Sequence, residues 1–161
     1  MNTTLKSTIL LILCILLSQS AGIIGSYFTI DAIQNWYVTL NRPGISPPNW
    51  VFAPVWTSLY TMMGISFFLV IRKGISNTTV KIASVIFILQ LILNAAWSIV
   101  FFGNQNLQNA FIVIIMLIIL ILLNIFYFHK VNRWAAYLLI PYLAWVSFAS
   151  VLNYQFWMLN R

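Results

Sequence analysis

An all-α membrane protein, a single bundle of five transmembrane helices, is the architecture this sequence predicts. Hydrophobic residues fill 62% of its 161 positions and charged residues only 6%, whereas a soluble domain carries about 25% charged residues. The charged residues are Lys6, Asp31, Arg42, Arg72, Lys73, Lys81, Lys130, Arg133 and Arg161, and they leave uncharged intervals at 7–30, 43–71, 82–129 and 134–160. A crossing helix needs about 20 mostly apolar residues. The third interval therefore holds two helices and each of the others one.

The first span, about 5–28, opens with Lys6 and an apolar run that stays uncharged to Ile30. That is too long for a signal-peptide core of about 7–15 residues. Ser18, Gly22 and Ser26 recur every four residues, which suits close approach of a second helix. A turn-prone loop is expected over 29–46, where Asp31, Asn35, Asn41, Arg42, Pro43 and Gly44 cluster. Pro47 and Pro48 are expected to open the second span, 47–71, because proline is tolerated in a first helical turn. The third span covers 82–102, and Gly103-Asn104-Gln105-Asn106 turns the chain into the fourth, 106–128. The fourth is almost uniformly aliphatic over 112–120 and is expected to face lipid or another copy of the protein. Residues 129–133 separate it from the fifth span, 134–158. Residues 1–161 thus read as one transmembrane domain.

The net charge of +7 points away from nucleic acid, because the cations sit in the connections between spans. Lys6, Arg72, Lys73, Lys81, Lys130 and Arg133 fall on one side, Arg42 and Arg161 on the other. The positive-inside rule then places the N-terminus in the cytoplasm and the long loop and C-terminus outside a bacterial cell membrane. Cys14, Asp31 and His129 are each the only residue of their kind, Asp31 being the only acid. A disulfide, a two-histidine metal site, a carboxylate pair and a Ser-His-Asp triad within one chain are all excluded. Cys14 reads as a small buried hydrophobe, and His129, beside Lys130, as a solvated interfacial side chain rather than a haem ligand.

Polar groups inside a bilayer are costly without a partner, so their positions are informative. Gln90, Asn94 and Trp97 share a face of the third span, Trp56, Tyr60 and Gly64 a face of the second, and Pro141, Trp145, Ala149 and Asn153 a face of the fifth. At 1.5 Å per residue, Trp56, Tyr60, Asn94, Trp97 and Trp145 lie roughly 8–20 Å below the end that carries the long loop. Trp36, Trp50, Trp134 and Trp157 fall near span ends, as interfacial anchors do. Indoles beside small residues and a few amides suit a cavity for a large, flat, mostly apolar ligand.

The segments WYVTLNRPGISPPNWVFAPVWTSLYTMMG (36–64), QLILNAAWSIVFFG (90–103) and PYLAWVSFASVLNYQFW (141–157) resemble the translocator protein family, the tryptophan-rich sensory proteins or peripheral-type benzodiazepine receptors. The resemblance implies a five-helix bundle, usually a homodimer, that binds porphyrins, haem and other hydrophobic small molecules as ligands and requires no cofactor. In bacterial relatives it implies a part in stress responses and in light- and oxygen-dependent breakdown of protoporphyrin IX. Matched by motif, Trp56 in PVWTSLY and Trp145 in PYLAW would take part in porphyrin photochemistry. Asn94 and Trp97 in LILNAAW, Ala149, and Gly25 and Ser26 in IIGSYF would line the pocket. Two departures stand out. Ile45 in RPGISPP replaces a loop tryptophan, and six residues separate Tyr154 from Arg161, one too many for the cholesterol-recognition pattern. Facilitated passage of porphyrin or another lipophile is the alternative function. Proton- or ion-coupled transport is not, since no expected span contains an acid or histidine.

Overall fold

The computed structural model describes residues 3–161, and among them there is helix and no strand. Six α-helices form five membrane-length segments: α1 Thr3–Asn35, α2 Phe52–Ile71, α3 Thr78–Ser98, α4 Leu107–Val131, α5 Arg133–Leu138 and α6 Ile140–Leu159. α3 continues through a π-helical turn, Ile99–Gly103, and α5 with α6 makes the fifth segment. With its length, composition and five apolar helices, the chain is an integral multi-pass membrane protein.

The first helix corrects the expected boundary. It runs seven residues beyond Phe28, so the expected 29–46 loop is shorter and begins only after Asn35. Neither glycine nor proline interrupts 29–35. Thr29 Oγ1 donates to the Gly25 carbonyl at 2.8 Å and Asn35 Nδ2 to the Asp31 carbonyl at 3.1 Å, so the polar side chains turn back onto the helix instead of ending it. At 33 residues α1 is about 50 Å long, well over the bilayer's ~30 Å hydrocarbon core. Pro47 and Pro48 also lie outside a helix. Pro48 is extended (φ −57°, ψ 143°) before a 3₁₀ turn at Asn49–Val51, and Pro54 occupies the first turn of α2.

Asparagine starts three of the helices. The Oδ1 atoms of Asn77, Asn106 and Asn132 accept from Thr79 N (2.8 Å), Asn109 N (2.9 Å) and Trp134 N (2.9 Å). A neutral amide caps exposed backbone donors without adding charge to the membrane boundary. The fifth segment breaks at Leu139, where Pro141 enters the first turn of α6. Ser66 Oγ ties α2 to the short α5 by donating to the Ala135 carbonyl at 2.6 Å.

The bundle is filled unevenly. Away from the loop, Phe67 of α2 stacks on Phe87 of α3 at 4.3 Å, and Phe87 on Phe128 of α4 at 5.9 Å. Met63, Val70, Val80 and Ala83 close the remaining space with no exposed surface. Cys14 is buried in this core. Gly64 does not open space beside Trp56 and Tyr60, contrary to the small-residue reading. It lets α2 touch the α1 backbone, since a Cβ there would lie 2.5 Å from Ile15 Cα. α4 has a packed face as well as an exposed one. Leu107, Ala110, Ile114, Leu117, Ile121, Asn124 and Phe128 are buried at alternating three- and four-residue steps, while Ile112, Met116, Ile119 and Phe126 stay about half exposed.

Candidate functional site

The loop half of the bundle holds a cavity of about 450 Å³, within the ~300–1,000 Å³ range of small-molecule pockets. Four elements wall it, and none of the lining side chains is charged. α2 contributes Phe52, Trp56 and Tyr60, one turn apart, because a four-residue step keeps side chains on one face. α6 contributes Trp145, Ala149, Leu152, Asn153 and Phe156 by the same periodicity. Trp97 and Ser98 come from α3, and the π turn that follows adds Phe101 and Phe102. α1 supplies the fourth wall from Gln19 to Ile33, including Gly22, Gly25 and Ser26. Tyr37, in the 3₁₀ turn Tyr37–Thr39, closes the loop end, where its ring packs 5.2 Å from Phe156 and 5.9 Å from Phe102.

Glycine makes the α1 wall thin. A Cβ on Gly22 would lie 2.5 Å from Tyr60 Cε2, and one on Gly25 2.8 Å from Ser98 Oγ. Below Gly22 the α1–α2 seam is sealed by Gln19 Nε2, which donates to the Thr57 carbonyl and Thr61 Oγ1, both at 3.1 Å. Above it the seam parts. Ile23 and Ile30 line the cavity yet are 69% and 59% exposed, and Ala53 and Thr57 opposite are exposed too. The cavity therefore opens sideways between α1 and α2, toward the bilayer. At its top the loop is pinned. Asn41 N donates to Asn160 Oδ1 at 2.8 Å and Asn160 Nδ2 returns a bond to the Asn41 carbonyl at 3.1 Å. Arg42 Nη2 donates to Asn49 Oδ1 (3.0 Å), Ser46 Oγ and the Pro47 carbonyl, with the guanidinium 5.3 Å from the Tyr37 ring.

Of the site residues read from sequence, Gly25, Ser26, Trp56, Tyr60, Trp97, Trp145 and Ala149 meet around this cavity. Asn94 does not line it. Its Oδ1 accepts from the Tyr60 hydroxyl, its Nδ2 donates to the Tyr142 hydroxyl at 3.0 Å, and Tyr142 donates onward to Gln90 Oε1 at 2.9 Å. The amide is committed to holding Tyr60 against the wall from behind. Asn153 does similar work for Trp97. Its Oδ1 accepts from the indole N–H at 3.0 Å while its Nδ2 donates to the Leu107 carbonyl at 2.9 Å. The Trp145 N–H, in contrast, is buried without a hydrogen-bond partner. Trp56 stacks on Tyr60 at 5.4 Å, and Trp145 meets Phe52 edge-on at 6.0 Å.

Asn94→Leu is expected to lower the thermal stability of the detergent-solubilised protein by about 1–3 kcal/mol, because buried hydroxyls would lose their partner. Tyr60→Phe should cost less, leaving only one carbonyl unfilled. Unfolding curves of the two variants test this, and equal midpoints would contradict it.

Helical spacing extended one turn further would have reached Phe52 from Trp56 and Phe156 from Asn153. No pattern announced Tyr37, whose place depends on the path of the loop. Pro141, grouped with Trp145 by spacing, is exposed outside the cavity. His129 is exposed at the opposite end, and no group of three metal-ligating side chains occurs among the described residues.

The model of the TspO/MBR family matches residues 14–158. The chain is similar to a tryptophan-rich protein TspO of Chlorobaculum tepidum, at 42% identity across 96% of this chain and 98% of that protein. It is 41% identical to one of Archaeoglobus fulgidus, across 93% of this chain and 96% of that protein. A translocator protein of Bos taurus is 34% identical across 91% of this chain and 87% of its own length. Matched over nearly its whole length and folded as five apolar segments, this chain belongs to the TspO/MBR family.

Proposed function

We propose that the protein is a membrane receptor or sensor that binds a tetrapyrrole, protoporphyrin IX or haem, in the cavity beneath its loop. The observation that carries this reading is an uncharged hollow walled by three indoles, Trp56, Trp97 and Trp145, and opening toward the bilayer. A flat macrocycle entering from lipid would stack on the aromatic faces. Arg42, packed over Tyr37, brings positive charge to the end where propionates would emerge. The protein acts as a homodimer with its N-terminus in the cytoplasm and requires no cofactor.

The same reading extends to light-dependent breakdown of the bound porphyrin. Dioxygen is the oxidant and the excited pigment the species that meets it. The chain orients the pigment against Trp56 and Trp145, either of which can pass one electron to the light-excited pigment and be oxidised itself, with dioxygen the final acceptor. Titration with protoporphyrin IX in the dark is expected to quench tryptophan fluorescence saturably, and the absence of quenching would remove the proposal. In Trp56→Phe and Trp145→Phe, illuminated porphyrin loss should slow severalfold. Dark affinity should change by less than about tenfold, since phenylalanine keeps most of a stacking contact worth about 0.5–1.5 kcal/mol. The sideways opening favours one second reading, facilitated passage of a lipophile. Saturable porphyrin flux into proteoliposomes would support it.

A further inference from the structure

At the end of the bundle away from the loop, the chain's cations have no carboxylate to meet. Arg72, Lys73, Lys81, Lys130 and Arg133 lie there, whereas Asp31, the only side-chain carboxylate, sits near the other end of α1. Their counter-anions come from outside the chain. One of these cations, Lys130, lines the head of a groove of about 480 Å³, and Arg133 follows three residues later at the start of α5, one turn before the groove residues Ala136 and Tyr137.

The groove is built for hydrocarbon along its length and for charge at its end. Ala136 is 1% exposed, and its short side chain leaves the floor low. Leu122 and Phe126 of α4 form one wall, Tyr137 of α5 and Ile140 of α6 the other. All four are about half exposed, on a surface that faces bilayer. At the head, Lys130 Nζ is drawn to 4.2 Å from the Phe126 ring centroid, so the ammonium lies over the groove wall. His129, exposed, sets its ring 6.3 Å from Tyr137 across the same opening. The Arg133 guanidinium rests 5.5 Å from the Trp134 ring, and Trp134 is 60% exposed at the depth of an interfacial anchor.

We propose that this groove is a binding site for an anionic phospholipid. One acyl chain runs between Phe126 and Ile140, and the phosphate sits at the head between Lys130 and Arg133. The apolar walls would accept any lipid chain. The two cations, three residues apart across a helix junction and lacking a carboxylate of their own, select a negatively charged headgroup. This site is separate from the cavity under the loop and stands whether or not that cavity binds porphyrin.

The test is lipid selectivity of the full chain, reconstituted in phosphatidylcholine vesicles with spin-labelled phosphatidylglycerol or spin-labelled phosphatidylcholine as probe. The wild-type protein is expected to hold a motionally restricted fraction that prefers phosphatidylglycerol. Each of Lys130→Gln and Arg133→Gln should reduce that preference by about fivefold, the worth of one cation near an anionic headgroup. Leu122→Trp, which fills the groove without changing charge, should reduce it as well. The charge-matched variants Lys73→Gln and Lys81→Gln remove cations from the same end but not from the groove, and should leave it unchanged. Equal loss in all four glutamine variants would overturn the site in favour of diffuse electrostatics. No preference in the wild type would overturn it outright. So would efficient disulfide cross-linking of Leu122→Cys between two copies, which would assign the groove to a protein interface.

Discussion

Ala149→Phe is expected to block the cavity and weaken protoporphyrin IX binding by at least about tenfold, or about 1.4 kcal/mol, since the added ring takes up volume that the ligand would need. Ala149 lies on α6 between Trp145 and Asn153, one turn from each, and all three line the hollow. A phenyl ring there would occupy the space a stacked macrocycle needs, while the polar supports of Tyr60 and Trp97 stay in place. Fluorescence quenching in the dark reads the affinity, and the thermal midpoint reports whether the bundle has survived. Unchanged quenching with an unchanged midpoint would show that the pigment binds elsewhere. If instead the cellular effect persists with the cavity filled, the protein acts through partners and not through a ligand.

Gly64→Ala is expected to lower stability rather than binding. The added methyl would lie 2.5 Å from Ile15 Cα and 2.9 Å from both Ile15 N and the Cys14 carbonyl oxygen. These are backbone atoms, which cannot rotate away as a side chain would, so α1 and α2 must separate. Overpacking of this kind costs about 1–3 kcal/mol, or roughly 2–12 °C in Tm for a chain of this size. Gly44→Ala is the matched control, since a methyl there meets nothing within 4 Å. Thermal unfolding in one detergent compares the two, and a Gly64→Ala midpoint equal to the control's would mean that the helices do not touch there.

The fold was legible because charge is so sparse. Arg72-Lys73, Lys81, Lys130 and Arg133 punctuate the apolar runs, and four of the five segments begin and end within a few residues of their expected bounds. The end of the first is not legible in the same way, because Asp31 and Asn35 are residue types common in loops. Their effect on the backbone depends on what surrounds them, and here helix continues around them. Within the site, Trp56 and Trp145 could be picked out because aromatic residues at four-residue spacing define a face. Sequence spacing reveals a shared face but not the neighbour it meets. Spacing alone therefore puts Asn94 and Gly64 on the cavity wall, whereas Asn94 stands behind Tyr60 and Gly64 serves the α1 contact. Tyr37 was out of reach for a related reason, because a 3₁₀ turn after a helix of unforeseen length carries it to the cavity.

The touching point of Gly64 on Ile15 has a mechanical consequence. With the Gln19 bonds to Thr57 and Thr61 just beyond it, it makes a fulcrum near the middle of α1, leaving the stretch from Gln19 to Ile33 as a lever of about 21 Å. Rocking that arm by about 5° would shift its tip by roughly 2 Å. A guest could thus be admitted from the lipid side by a small pivot of one rod, with the pinned loop left folded throughout.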